Sequence, residues 1–89
     1  MEVTGIVKQV EKHTGIKQDK ITPWQRIDIE VCYEEGQYPK SAIISFNGYG
    51  FDPLLEMVEK KIRIYFDIES SWYKGNPSTK LKGYKYDKR

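Results

Sequence analysis

Apolar and polar positions alternate along most of the chain, and that alternation predicts its secondary structure. In WQRIDIEVCY, residues 24–33, Ile27, Ile29, Val31 and Tyr33 fall on one side and Trp24, Arg26, Asp28, Glu30 and Cys32 on the other. A period of two is that of a strand with one face buried. KIRIYFDIE repeats it, with Ile62, Ile64, Phe66 and Ile68 inward and Lys61, Arg63, Tyr65, Asp67 and Glu69 outward. KSAIISFN sets Ala42, Ile44 and Phe46 against Ser41, Ser45 and Asn47. EVTGIVKQV reads as a strand in which Gly5 marks a bulge or sharp bend. TKLKGYKY alternates less cleanly, Leu81 and Gly83 facing away from Lys80, Lys82, Tyr84 and Tyr86, and makes a fifth strand.

One stretch has helical character. In DPLLEMVEK, Asp52 suits an N-cap, Pro53 suits the first turn, and Leu54, Leu55 and Val58 form an apolar stripe. HTGIKQDKITP and SSWYKGNP are the conspicuous connections, with EEGQ a short turn and NGYGF a turn before the helix. His13 opens the first of them, and Thr14-Gly15 beside it suggest a turn. Five strands with a short helix between the third and fourth match an all-β, five-stranded Greek-key barrel of the OB-fold type. Such barrels bind oligonucleotides or oligosaccharides through strands 2 and 3 and the loops joining strands 1–2 and 4–5. The two conspicuous connections occupy those loop positions. An SH3-like barrel or an α+β roll uses a similar number of strands but accounts less well for a helix in this place.

Eighty-nine residues fit one domain, 1–89. Without an apolar run of about 20 residues or a basic, apolar leader, neither a membrane span nor a signal peptide is predicted, and the cytoplasm is the default compartment. One cysteine and one histidine argue against an internal disulfide and a zinc cluster, so no cofactor is expected. NGYGF lacks the Lys-Ser/Thr of a phosphate-cradling loop, and Cys32 has no evident base. Asp67 and Glu69, two apart on one strand face, are the nearest approach to an acid-base pair and read as a solvated face. An enzyme is therefore not expected.

Charge is unevenly spread. Residues 70–89 hold six Lys/Arg against Asp87, a net of +5, which leaves −3 on residues 1–69 of the total of +2. The split points to a localised anionic partner or to a solvated basic edge.

TGIVKQV at the start, a Trp opening strand 2, QYPK before strand 3, FDIES closing strand 4 and an aromatic-Gly turn after it resemble a family of small bacterial and phage OB-fold proteins. That family is catalogued as a domain of unknown function and is similar to single-stranded DNA-binding proteins. The resemblance runs from Glu2 to Tyr86. Trp72, Tyr73, Lys74 and Gly75 fit the family's turn, whereas Tyr84 stands where a Trp is expected and the tip NPST departs. It implies nucleic-acid binding without catalytic residues.

Single-stranded nucleic acid is held by cations for its phosphates and aromatic faces for its bases. Trp72, Tyr73 and Tyr84 offer stacking faces, with Lys74, Lys80 and Lys82 for phosphates. Trp24 and Arg26 on strand 2 would extend the platform, and Lys17 and Lys20 would reach in from the 1–2 loop. Structural roles compete at each position. Trp24 can pack under the loop, Tyr84 and Tyr86 can cover a barrel edge, and Lys80 and Lys82 can guard that edge against aggregation. Asp28 and Glu30 would repel phosphate unless paired. The expected partners are single-stranded DNA or RNA, with a second copy or a replication or recombination protein as further partners. The competing class is a protein-interaction module that uses an exposed edge, QYPKSAII or TKLKGYKY.

Overall fold

The computed structural model describes residues 1–34 and 40–89. Five strands, β1 (Glu2–Ile16), β2 (Pro23–Glu34), β3 (Lys40–Asn47), β4 (Lys61–Tyr73) and β5 (Asn76–Lys88), close into a barrel in the order β1-β2-β3-β5-β4, with a 3-10 helix, Asp52–Glu56, between β3 and β4. This is the five-stranded OB-fold. β1 joins the two halves, pairing antiparallel with β4 along Glu2–Ile6 and with β2 along Ile6–Ile16. Closure is thin, since the parallel β3–β5 contact has one ladder position, Ser45 opposite Lys82.

The inward positions of the alternation form the core. Val7, Ile27, Ile29, Val31, Ile44, Phe46, Ile62, Ile64 and Phe66 are buried together, joined by Leu54 from the 3-10 helix and Met57 at its C-cap. Phe46 is central: its ring lies 4.9 Å from Phe51 and 6.2 Å, edge to face, from Tyr86, while Gly83 leaves room for it on β5. No helix among the described residues is long and apolar enough to cross a membrane.

Several expectations need correction, each because the strands outrun or bend around the barrel. β1 continues to Ile16, so His13, Thr14 and Gly15 are strand residues. Gly5 is not the bulge; register slips between Val7 and Gln9, and Gly5 instead lets β1 lie tight against the Cys32 backbone. Cys32 is buried although its parity is outward, and Tyr33, the unpaired residue where β2 slips register against β3 between Cys32 and Glu34, is exposed. Ile68 is half exposed because β4 has by then left the barrel. On β5 a bulge at Tyr84, where Tyr65 pairs with Lys85 and Phe66 with Gly83, reverses the parity, so Tyr86 turns toward the core.

The helical segment is shorter than predicted. Its period of three buries Leu54 and Met57 and leaves Leu55 and Val58 exposed. Phe51, not Asp52, holds the N-cap position, and the Asp52 carboxylate instead accepts from Gln25 Nε2 at 2.9 Å and meets Lys12 Nζ at 3.4 Å. SSWYKGNP is not an open loop either. β4 and β5 pair out to Tyr73 opposite Asn76, and the intervening Lys74 and Gly75 have φ of 50° and 81°, a two-residue hairpin turn. Most of EEGQ and most of QYPK lie outside the described residues.

Candidate nucleic-acid interface

The outer faces of β2, β3 and β5 meet in a groove. Register places Arg26 opposite Asn47 and Asp28 opposite Ser45, and Ser45 in turn opposite Lys82. The resulting concavity, about 440 Å³, is lined by Arg26, Asp28, Ile43, Ser45, Asn47, Lys80 and Lys82. Thus Arg26, Lys80 and Lys82, far apart in sequence, share one surface. Their charge is partly offset inside it. Asp28 accepts from Ser45 Oγ at 2.6 Å and lies 3.2 Å from Arg26 Nε and 3.3 Å from His13 Nε2, and Lys82 Nζ lies 2.9 Å from Glu69 Oε2. Arg26 Nε is shielded from solvent and not aligned for a hydrogen bond, so its contact with Asp28 is Coulombic. Because these side chains are substantially exposed, a phosphate can compete for them at small cost.

At one end the groove runs into a cleft of about 420 Å³ lined by Lys17, Pro23, Trp24, Gln25, Asn47, Gly48 and Tyr49. Trp24 is half-buried against Gly15, its neighbour across the β1–β2 ladder. Of its two expected roles the contact with Gly15 shows packing, and the ring also lines the cleft. The 1–2 loop, residues 17–22, is drawn tight by Lys17 N donating to Thr22 O at 2.8 Å and by Asp19, which accepts from the Thr22 hydroxyl at 2.6 Å and from the Thr22 and Ile21 amides at 2.9 Å. Those bonds, the Thr22 hydroxyl first, hold the Asp19 carboxyl below the usual aspartate range. Lys17 at the loop's base lines the cleft, whereas Lys20 sits near the tip with φ of 61°, outside the lining.

At the other end Lys80 leads into a depression of about 450 Å³ on the β4–β5 ribbon, shared with Ser71, Asn76, Pro77 and Ser78. Asn47 belongs to both the cleft and the groove, and Lys80 to both the groove and the depression. The three concavities form one track.

The remaining expected residues fall beside it. Trp72 is 77% exposed and pairs with Pro77, an odd number of positions from Glu69 and Asp67, which face Lys80 and Lys82. It therefore points to the opposite face of the ribbon, where it lines a separate depression that shares Ser71, Pro77 and Ser78 with the one at Lys80. Tyr84, at the bulge, is exposed and stands 6.5 Å from the Tyr65 ring, outside the groove lining. Lys74 forms the hairpin tip. Tyr73 is the last residue of β4, opposite Asn76, and its side chain lies outside the described part.

Sequence reasoning did not single out Tyr49, Asn47 or Ser45 as site residues. Tyr49 had a readable signal: an aromatic between Gly48 and Gly50, both with positive φ, sits at the tip of a turn and cannot reach the core. It is 61% exposed. Asn47 and Ser45 gave none, because polar outward residues of a strand are ordinary until topology sets β5 alongside them. No protein-family model matches this chain, and no curated protein matches it either.

Proposed function

We propose that this barrel is a non-catalytic single-stranded nucleic-acid-binding protein, with DNA the foremost ligand and little sequence preference. The observation that carries the reading is the continuity of the track: an aromatic-walled cleft, a groove bearing Arg26, Lys80 and Lys82, and a ribbon depression, joined through Asn47 and Lys80. Cations answer the phosphates of a strand. Trp24 and Tyr49 offer π-faces that only unstacked bases can use, which favours a single strand over a duplex. Asp28 and Glu69 within the track lower its net positive charge and favour modest affinity. The resemblance to OB-fold proteins similar to single-stranded DNA-binding proteins supports the same reading. Titration of labelled single-stranded and duplex oligonucleotides tests it, binding to the single strand alone being the expected outcome.

A second reading rests on the β3 edge. With β5 meeting β3 at Ser45 only, the backbone edge of residues 41–44 has no ladder partner on that side among the described residues, and Ile43 is 63% exposed. Such an edge suits strand addition by a second copy or a protein partner. Concentration-dependent oligomerisation together with indifference to oligonucleotides would favour it.

A further inference from the structure

We infer that the cleft between Trp24 and Tyr49 takes one unstacked nucleobase, with the adjoining phosphate on Lys17, and so anchors one end of the bound strand. The inference rests on the single-strand reading above and adds to it a specific base site on the turn between β3 and the 3-10 helix.

Its two walls are held in fixed relation by one residue. Gln25, itself only 5% exposed, accepts from the Gly48 amide through its main-chain oxygen at 2.8 Å, which ties the Tyr49 turn to β2. Its side chain donates to Asp52 at 2.9 Å, which ties β2 to the helix that follows that turn. Trp24, the residue before Gln25, rests on Gly15. One wall thus sits on a strand backed by its neighbour, and the other on a turn bonded to the same strand. A cleft built in advance loses less freedom when it binds, which raises affinity for a given contact area.

The lining matches a base and a phosphate. Trp24 and Tyr49 give aromatic faces, Asn47 brings an amide donor and acceptor to the rim, and Lys17 supplies the cation. Tyr49 has no evident packing duty. It is exposed, and Gly48 and Gly50, with φ of 102° and 97°, hold it out from the barrel.

The test uses the full chain carrying Trp72→Phe, which leaves Trp24 as the only tryptophan because the sequence has two. Labelled oligo-dT is titrated while anisotropy and tryptophan emission are followed together. Binding should quench Trp24. Adding Tyr49→Ala should weaken binding by about 5- to 150-fold, the equivalent of one stacked base, whereas Tyr49→Phe should keep it. Unchanged affinity in Tyr49→Ala without quenching of Trp24, while the parent still binds, overturns the base site and leaves the track standing. Absence of binding by the parent chain overturns both. Unquenched Trp24 in a parent that binds counts against the cleft even if Tyr49→Ala fails to fold.

Discussion

The indole of Trp24 rests on Gly15 across the β1–β2 ladder: a Cβ at residue 15 would stand 2.7 Å from its Cε2, Cζ2 and Nε1 atoms. Gly15 is thus the seat of the cleft's inner wall. In Gly15→Ala the ring must move, so Trp24 emission should shift in a Trp72→Phe background and oligonucleotide affinity should fall several-fold. An unchanged spectrum with unchanged affinity would show that the seat does not matter.

Gly83 plays the corresponding part in the core. A Cβ there would collide with the Phe46 ring, which Phe51 and Tyr86 hold from other sides. Overpacking of this kind costs about 1–3 kcal/mol, and in a domain of this size each kcal/mol lowers the melting temperature by roughly 4–8 °C. Gly83→Ala should therefore melt earlier than wild type by calorimetry. Melting within a degree of wild type would mean that Phe46 repacks freely.

Lys80 and Lys82 separate the electrostatic contribution from the aromatic one. If each meets a phosphate, Lys80→Ala and Lys82→Ala should each weaken binding and reduce the slope of log affinity against log salt by about 0.7. Glu69→Gln, which removes the carboxylate 2.9 Å from Lys82, should strengthen binding slightly. Trp72→Ala should leave affinity unchanged, since Trp72 faces away from these lysines. Affinity that falls in Trp72→Ala but not in the lysine variants would move the site to the other face of the ribbon.

Asp19 gives the 1–2 loop its pH dependence. Its carboxyl is held below the usual aspartate range by the Thr22 hydroxyl and the Thr22 and Ile21 amides. A lowered folded-state value means that the stabilisation is fully present above the usual aspartate range and is lost as pH falls through the lowered value. Hydrogen exchange at the Ile21 and Thr22 amides should stay protected from neutrality down to weakly acidic pH and lose its protection only in strong acid. Asp19→Ala should abolish that protection at every pH. Equal protection in the variant would assign the loop's order to the Lys17–Thr22 backbone bond alone.

The barrel was legible because its inward residues alternate almost without interruption: Ile27, Ile29 and Val31, then Ile44 and Phe46, then Ile62, Ile64 and Phe66. The errors cluster where a single residue shifts register. The bulge at Tyr84 carries Tyr86 inward, the slip after Cys32 turns Tyr33 outward, and neither leaves a mark in local composition. Of the candidate site, the Trp24–Arg26 and Lys80–Lys82 segments could be named from sequence, but their meeting depends on the long-range Ser45–Lys82 contact. Trp72 was expected to share a loop with the lysines. A hairpin that stays paired to its tip instead sends it to the far face.

The most direct test of the central claim is a titration of labelled oligo-dT and of a duplex of equal length against the wild-type chain at about 50 and about 200 mM salt. Binding at micromolar concentrations or tighter to the single strand only is expected, with quenched tryptophan emission and weaker binding at the higher salt. No binding at the lower salt, or equal binding to the duplex without quenching, would contradict it and leave the β3 edge and a protein partner as the function to pursue.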